Sequence, residues 1–402
     1  MADYALIVLD RRRHRSVHSA LRGLLALLVV VGIPLSPGGF AGITWGAGPT
    51  GPVAIREART LTMSELGHER GSEERAESAV VLVVLDGVRW QEVFSGADRG
   101  LANVRGNSPL AWANPRALMP NMYRLIETRG VAIGAPGRGA EISATGPQFI
   151  SLPGYLEIFV GHSDSRCDCN VCARPPGRTI VDDVRESSGP DDAAVITSWP
   201  NIARAASADA SGFVLSSGRT IMSRGQVLRA DRTTSDLLDR GAHASAWPGE
   251  GDYRPDAITG RIALRHLATA RPRFLFVGLG DADELAHRSD YQGYLAALHA
   301  SDDFLGDLIE TLDEMGARGR HTTVIVTTDH GRAYDFRDHG PTHPESGRVW
   351  LVAGGGDART GGLVASTRRH TLSDVAPTVR ALLGITSGDG EPIAEVIGRP
   401  GQ

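Results

Sequence analysis

Three apolar stretches that each end at acidic residues constrain this chain more than any other feature. The stretches are Ala79–Leu85, Arg273–Gly280 and the β-branched run within His321–Gly331. Asp86, Asp283 and Asp329 follow them at or near their ends. Uninterrupted apolar and β-branched runs predict strands that are buried on both faces. Ligands of open α/β sheets bind beyond the carboxyl ends of the strands, so the three acids predict a shared site there.

Two of these strand ends also supply a histidine. His330 directly follows Asp329, and His287 stands four residues after Asp283, with Asp281 as a second acid nearby. Residues at i and i+4 share one face of a helix, so Asp283 and His287 can face one ion if their segment is helical. Carboxylate and imidazole together suit divalent cations. The pattern predicts a polynuclear metal site, for which zinc fits best and manganese and magnesium are alternatives.

Ser151 stands where a helix is predicted to begin, directly before Leu-Pro-Gly. The free N–H groups and the dipole at such a position suit a phosphate or an oxyanion. Serine is also a favoured N-cap residue, so this position alone does not separate a nucleophile from a cap.

The alternation of strands and helices predicts an α/β fold with a doubly wound, mostly parallel sheet and helices on both faces. We expect the folded domain at residues 79–386, and a C-terminal tail at 387–402. Within the domain, Ala193–Ser198 and Gly212–Ser216 predict short strands and Asn201–Ala208 predicts a helix. Residues 160–255 as a whole look irregular and predict a loop-rich cap that faces the substrate. The run Arg348–Ala353 predicts a further strand. The net charge of −5 gives no indication of nucleic-acid binding.

The N-terminal region has the pattern of an export signal. A basic leader precedes the apolar run GLLALLVVVGIPL, which is short for a membrane span and contains a proline. Residues 1–46 therefore predict a signal peptide or an uncleaved N-terminal anchor, and residues 47–78 a flexible linker. The protein is expected to be periplasmic or extracellular, with a membrane tether as an alternative.

The cysteines are confined to Cys167, Cys169 and Cys172. A closed structural zinc site needs four ligands, and no partner cluster is evident in the sequence. In an oxidising compartment, one local disulfide with one thiol left over is the expected arrangement.

Taken together, the chain resembles the alkaline phosphatase superfamily over roughly residues 79–385, and is most similar to its nucleotide pyrophosphatase/phosphodiesterase-like and sulfatase-like branch. The order of elements carries the resemblance: an acid after the first strand, a hydroxyl at a helix start, Asp-xxx-His, Asp-His and a late histidine. The resemblance implies one metal ion held by Asp86, Ser151, Asp329 and His330, and another held by Asp283, His287 and the late histidine. For that histidine, His339 is favoured by its spacing and His343 is the alternative, while Asp281 is the alternative to Asp283.

The resemblance implies a hydrolase of phosphoric esters, a phosphatase or phosphodiesterase, in which Ser151 attacks a small phosphate ester. The sequence departs from the family pattern at two positions. Tyr155 stands where formylglycine sulfatases have arginine, and Gly154 stands where the diesterase branch has a phosphate-binding asparagine. A phospho- or phosphoethanolamine-type transferase and a sulfuric ester hydrolase remain alternatives, as does an exported, non-catalytic metal-binding protein. A serine hydrolase is a weaker alternative, because the sequence around Ser163 (GHSDS) only half matches the G-x-S-x-G pattern.

Overall fold

The three apolar runs that lead to acidic residues form neighbouring strands at the centre of one sheet. They are β1 (Ala79–Leu85), β7 (Phe274–Leu279) and β8 (Thr322–Thr327). β1 pairs in parallel with both of the others, so that Val84 lies level with Gly278 on one side and Thr327 on the other. All residues of the three strands are buried. Because parallel strands end at the same edge, the acids that follow them are brought together.

The structure is a computed structural model. It describes residues 77–102, 109–173, 177–207, 212–219, 221–224, 231–386 and 388–398. These residues all belong to the second of two units of the chain, Gly67–Gln402. The predicted export segment and nearly all of the predicted linker lie outside the described residues. Within the described part, no helix is long and apolar enough to cross a membrane.

The central sheet has nine strands in the order β11-β2-β10-β8-β1-β7-β4-β5-β6. The remaining strands of this sheet are β2 Gly130–Ile133, β4 Ala193–Thr197, β5 Val214–Ser217, β6 Ile221–Arg224, β10 Leu351–Gly354 and β11 Gly362–Leu363. A small second sheet contains β3 Ile142–Ser143, β9 Arg348–Val349 and β12 His370–Thr371. The pairs β10/β2, β10/β8 and β5/β6 are antiparallel and the other pairs of the large sheet are parallel. The prediction of a mostly parallel α/β sheet is confirmed.

Helices cover both faces of this sheet. In chain order they are α1 Trp90–Ser95, α2 Arg99–Ala102, α3 Pro115–Leu118, α4 Pro120–Arg129, α5 Ser151–Val160, α6 Ile180–Ser188, α7 Ile202–Ala206, α8 Arg232–His243, α9 Asp256–Ala270, α10 Asp281–His287, α11 Tyr291–Glu314, α12 Ala317–Arg320 and α13 Val375–Leu382. Alternate residues of β1 point to opposite faces, as a strand requires. Val81 and Val83 pack with α4, α9 and α11, whereas Leu82 and Val84 pack with α5, α6 and α13.

The predicted strand Arg348–Ala353 is divided in two at Trp350. Arg348 and Val349 belong to the small sheet, and the residues from Leu351 onward join the large one. Trp350 is fully buried, and its indole N–H donates a 3.0 Å hydrogen bond to the carbonyl oxygen of Val88. The bond ties this strand to the loop that follows β1, next to Asp86.

The segment 160–255 is not the loop-rich cap that its irregular sequence suggested. It contributes β4 and β5 to the central sheet, with β4 directly beside β7. It also supplies α6, α7 and α8. The sequence indicates both strands, at Ala193–Ser198 and Gly212–Ser216, and in the structure β4 and β5 are wholly buried.

The predicted C-terminal tail packs on the domain where the structure describes it. Ile393 and Val396 are fully buried. Glu395 lies 3.1 Å from Nε2 of the buried His370, whose Nδ1 lies 3.0 Å from Asp374. Residues 388–398 therefore pack against the domain and do not extend away from it.

Candidate metal centre

The acids at the strand ends meet in one buried centre. Asp86 follows β1, Asp329 follows β8, and Asp283 lies in the first turn of α10, after β7. The N–H of Gly87 donates a 3.0 Å hydrogen bond to Oδ1 of Asp329, which holds two of the strand ends together. Potential ligand atoms fall into two groups in which all atoms lie within 4.8 Å of one another. One group is Asp86, Asp329 and His330, and the other is Asp283, His330 and His339.

Ser151 lies at this centre, at the first residue of α5. Its Oγ is 3.2 Å from Oδ1 of Asp86 and 3.3 Å from Nε2 of His330, and the residue is buried. The sequence left open whether Ser151 is a nucleophile or an N-cap. The N-cap position belongs to Ile150, which makes no side-chain capping bond, so the hydroxyl of Ser151 faces the centre rather than the helix.

Tyr155, one turn further along α5, also contacts Asp86. Its hydroxyl donates a 3.0 Å hydrogen bond to Oδ2, so Ser151 and Tyr155 contact different oxygens of one carboxylate. Burial, and then repulsion from Asp283, raises the pKa of Asp86 to about 7 despite these hydrogen bonds. Burial and the neighbouring acids raise the pKa of Tyr155 well above its usual value, so it remains a donor at neutral pH.

Asp283 and His287 face each other across one turn of α10, as their spacing predicted. Nε2 of His287 lies 3.1 Å from Oδ2 of Asp283 and 3.1 Å from Nε2 of His339. Burial alone would raise the pKa of Asp283, but the positive charges of Arg332 and His287 outweigh it and hold the pKa well below its usual value.

His330 and His339 stack with ring centroids 4.0 Å apart. Nδ1 of His330 lies 2.8 Å from the carbonyl oxygen of Gly331, and Nδ1 of His339 lies 3.0 Å from that of Phe149. A carbonyl at Nδ1 places the proton there and leaves Nε2 as a free ligand atom. Burial lowers the pKa of His330 to about 4 and that of His339 to about 3, which keeps both rings neutral.

These residues fit divalent cations. Oδ2 of Asp329 is buried and accepts no hydrogen bond from the described residues, although Nε2 of His330 lies 3.5 Å away. Burial and repulsion from Asp86 raise the pKa of Asp329 well above its usual value. A buried carboxylate oxygen without a donor is costly, and a cation would satisfy it. Both groups contain His330, whereas His287, which was expected in the second ligand set, is outside the groups, although its Nε2 lies 3.1 Å from Oδ2 of Asp283.

The structure separates the alternatives that the sequence left open. Asp281 accepts a 2.8 Å hydrogen bond from the hydroxyl of Tyr253 and is not among the grouped ligand atoms. His343 lies 3.9 Å from Glu345 and is likewise outside the groups. Asp283 and His339 are therefore the residues that reach the centre.

Sequence reasoning missed Asn170, which comes from the cysteine-containing loop. Its Oδ1 accepts a 3.0 Å hydrogen bond from the N–H of Leu152, directly after Ser151. Because residue 153 is proline and the N–H of Gly154 bonds to Ile150, few N–H groups at the start of α5 are free for a substrate. Asn170 thus also occupies the N–H of Leu152. Only the cysteines around it mark this residue in the sequence.

Gly154 is a point of close approach between α5 and the end of β8. A Cβ added there would lie 2.4 Å from the carbonyl oxygen of Asp329, so the position admits no side chain without movement. The departure from the diesterase pattern at this position therefore has a steric cause.

Arg332 is a further residue that the sequence did not indicate. It is buried, and its Nη1 bonds to Oδ1 of Asp283. Its Nη2 lies 3.4 Å from Nδ1 of His287, while Nε donates a 2.7 Å bond to the carbonyl oxygen of Phe336. The guanidinium thus holds the carboxylate of Asp283 in place. The signal in the sequence that could have indicated Arg332 is its position two residues after His330.

Comparisons with known proteins find similarity over part of the chain. A family model described as the metalloenzyme superfamily matches residues 257–387, which include Asp283, His287, Asp329, His330 and His339. The 2,3-bisphosphoglycerate-independent phosphoglycerate mutase of Haloarcula marismortui is 30% identical over 159 residues, covering 36% of this chain and 28% of the mutase. The phosphopentomutase of Deinococcus radiodurans is 32% identical over 158 residues, covering 37% of each chain. The matched segment is thus well under half of either relative.

Solved structures share the fold over most of the chain. Wild-type alkaline phosphatase PafA aligns with a TM-score of 0.54 at 13% identity, covering 80% of this chain and 99% of that one. BT4656, solved with its substrate D-glucosamine-2-N,6-O-disulfate, aligns with a TM-score of 0.51 at 12% identity, covering 79% of each chain. At such identities the likeness concerns the fold alone. The chain is therefore similar to the metalloenzyme superfamily over residues 257–387, and it shares its fold with these solved structures over most of its length.

Proposed function

We propose that the protein hydrolyses phosphoric esters with Ser151 as the nucleophile. The observation that carries the proposal is the position of the Ser151 Oγ, between Asp86 and His330 at the start of α5. A serine hydroxyl is a weak nucleophile until a base or a metal activates it. Two divalent cations bound here would polarise the ester and lower the pKa of the serine hydroxyl.

The chain's own residues position the reaction. Asp86, Asp329 and His330 would hold one cation beside Ser151, and Asp283, His287 and His339 would hold the other. Tyr155 keeps one oxygen of Asp86 engaged, so that the other faces Ser151. The amide of Asn170 would donate to a non-bridging oxygen of the ester. Such preorganised donors usually make a large contribution to catalysis.

Phosphate rather than sulfate is supported by two observations. Position 155 is occupied by a buried tyrosine that bonds to Asp86, and not by the arginine of formylglycine sulfatases. The curated relatives are mutases whose names denote phosphate-bearing substrates. Zinc is the proposed metal because the centre mixes imidazole with carboxylate, with manganese and magnesium as alternatives.

The test is metal content combined with turnover of p-nitrophenyl phosphate and bis-p-nitrophenyl phosphate. We expect about two metal ions per chain, by analogy with two-metal hydrolytic sites, and loss of turnover in Ser151→Ala. Ser163→Ala is the matched control, since it removes the serine of the half-matched GHSDS motif and should leave turnover intact. Full turnover by Ser151→Ala would disprove the nucleophile, and loss in Ser163→Ala would favour a serine hydrolase.

A phosphotransferase is the second candidate, because the curated relatives are mutases. The same attack by Ser151 would then be followed by transfer to an alcohol rather than to water. Turnover in the presence of an added alcohol separates the two: a transferase yields the alkyl phosphate as its main product, and a hydrolase yields mainly inorganic phosphate. Two bound metals without any turnover would support a specialised substrate or the non-catalytic alternative.

We also propose export to an oxidising compartment. The disulfide between Cys167 and Cys172, with Cys169 free, is the arrangement expected there and supports the proposal. Fractionation of cells that express the full chain would test it, and a purely cytoplasmic protein with reduced cysteines would contradict it.

A further inference from the structure

The disulfide-closed segment Cys167–Cys172, here called the cysteine loop, lies against the start of α5. The disulfide joins residues five positions apart in the sequence. Asn170, inside this ring, accepts the 3.0 Å hydrogen bond from the N–H of Leu152. The carboxamide beside the proposed nucleophile Ser151 therefore belongs to a covalently closed ring.

Helix α7 and the preceding residue hold the same loop from another side. Nδ2 of Asn201 donates a 3.0 Å hydrogen bond to the carbonyl oxygen of Asn170. Nη1 of Arg204 lies 3.1 Å from the carbonyl oxygen of Val171 and 3.4 Å from that of Cys172. The backbone that carries Asn170 is thus bonded from outside the loop at three successive carbonyl groups.

The two sulfur atoms anchor the ring in the core. Cys167 is 1% exposed and Cys172 7% exposed, and both pack in the apolar cluster that contains Tyr155 and Phe159 of α5. Val171, by contrast, is 71% exposed. The middle of the loop is therefore exposed, whereas its two ends are buried and covalently joined. This closure restricts the conformations of the residues between the two cysteines.

We infer that the disulfide between Cys167 and Cys172 is a positioning element for the reaction, because it holds the amide of Asn170 where the ester oxygen binds. The inference rests on the proposed function. A catalytic group must be held within about 0.5 Å of its productive position, which an open surface loop does not ensure. Breaking the disulfide leaves the bonds from Asn201 and Arg204 but releases the ring, so the redox state of this bond sets turnover.

Reduction by a small dithiol is chemically balanced. The S–S bond breaks and two S–H bonds form, with two electrons and two protons taken from the dithiol, which becomes a cyclic disulfide. Cys169, the free cysteine of the three, is not consumed in this stoichiometry.

The experiment is a double-mutant cycle on the metal-loaded full chain, with the better p-nitrophenyl ester as substrate. We expect Asn170→Ala to lower kcat/KM about 10- to 100-fold, the range for a hydrogen bond to a charged group. The double variant Cys167→Ser/Cys172→Ser should lose most of the same factor at unchanged metal content. Adding Asn170→Ala to it should cause little further loss, because one interaction cannot be lost twice.

Controls separate this effect from general loss of stability. Cys169→Ser keeps the disulfide and should retain full kcat/KM. A dithiol should slow the wild type but not the double serine variant, which also corrects for chelation of metal by the dithiol. If the double variant does not fold, Asn201→Ala takes its place. It should lower kcat/KM about two- to tenfold, as for a neutral hydrogen bond, again without adding to Asn170→Ala.

The outcomes are distinguishable from those of the proposed function. Full kcat/KM in the double serine variant, or losses that multiply with that of Asn170→Ala, would overturn the inference. If Ser151→Ala abolishes turnover in the same assay, the proposed function survives that result. Turnover that does not depend on Ser151 would instead remove the basis of both.

Discussion

Ser151 and Tyr155, one turn apart on α5, contact the two oxygens of the Asp86 carboxylate from one side. The Ser151 Oγ is 3.2 Å from Oδ1, and the Tyr155 hydroxyl is 3.0 Å from Oδ2. The helix thus fixes the orientation of the carboxylate relative to the proposed nucleophile. This relationship depends on the i,i+4 spacing of the two residues and on the packing of α5 against the end of β1.

Replacing Tyr155 by phenylalanine should weaken the metal centre while keeping the ring packing. The buried Oδ2 of Asp86 loses its donor, and an unsatisfied buried group costs about 1–3 kcal/mol. We expect lower metal affinity by calorimetric titration and lower kcat/KM. Tyr334→Phe is the matched control, because Tyr334 is 78% exposed. Equal metal affinity in both variants would show that Tyr155 does not orient Asp86.

Replacing Arg332 by methionine should destabilise the metal-free protein strongly. It leaves the carboxylate of Asp283 buried without its guanidinium, and the loss of one partner of a buried pair costs about 3–5 kcal/mol. A bound cation should supply part of the missing charge, so the loss should be smaller in the metal-loaded protein. Urea unfolding with and without metal measures both values. Arg337→Met, at a mostly exposed side chain, is the control, and equal losses in both metal states would contradict the expectation.

Gly154→Ala tests the close approach between α5 and β8. By helix propensity alone, alanine would stabilise α5 by about 1 kcal/mol. Here the added Cβ would lie 2.4 Å from the carbonyl oxygen of Asp329. This oxygen belongs to the backbone, so it cannot avoid the clash by a change of rotamer. We therefore expect lower stability and a loss of metal, measured by thermal unfolding and metal analysis. Gly100→Ala is the control, since its nearest neighbour is a side-chain oxygen at 3.2 Å; a stabilised Gly154→Ala would argue against the clash.

His266 should make stability depend on pH. It is 1% exposed, neither ring nitrogen has a hydrogen-bond partner among the described residues, and burial lowers its pKa to about 4. The unfolded state, with a pKa of about 6.5, binds the proton more readily. The free energy of unfolding is therefore unaffected by His266 above pH of about 6.5. It falls by roughly 3 kcal/mol in total as the pH falls towards about 4, because the unfolded state takes up the proton first.

His266→Leu should remove this part of the pH dependence. Urea unfolding of the wild type and the variant at pH values across that window gives the comparison, and His243→Leu, on the exposed side of α8, is the control. If the free energy of unfolding of the leucine variant changes with pH as steeply as that of the wild type, other groups cause the pH dependence.

Much of the fold could be predicted because its signals are local. The runs that became β1, β7 and β8 are continuous and apolar, and Leu298, Leu305 and Leu312 of α11 recur at helical spacing, so each segment indicates its own structure. Within the segment 160–255, the sequence indicated the two short strands that became β4 and β5, but not their place beside β7 in the central sheet. Their burial comes from β7 and from the helices around them, which no local pattern records.

The sequence by itself determined the strands, the residue types at their ends and the metal chemistry that those types favour. Only the tertiary structure decided which candidates meet: Asp283 rather than Asp281, and His339 rather than His343. It also brought in Asn170 and Arg332. The physical reason is that parallel pairing fixes where a strand ends, whereas the path of a loop depends on contacts with residues far along the chain. Asn170 bonds to Leu152, next to Ser151, from a loop that is held by a disulfide and by Asn201, which lies 31 residues further along the chain.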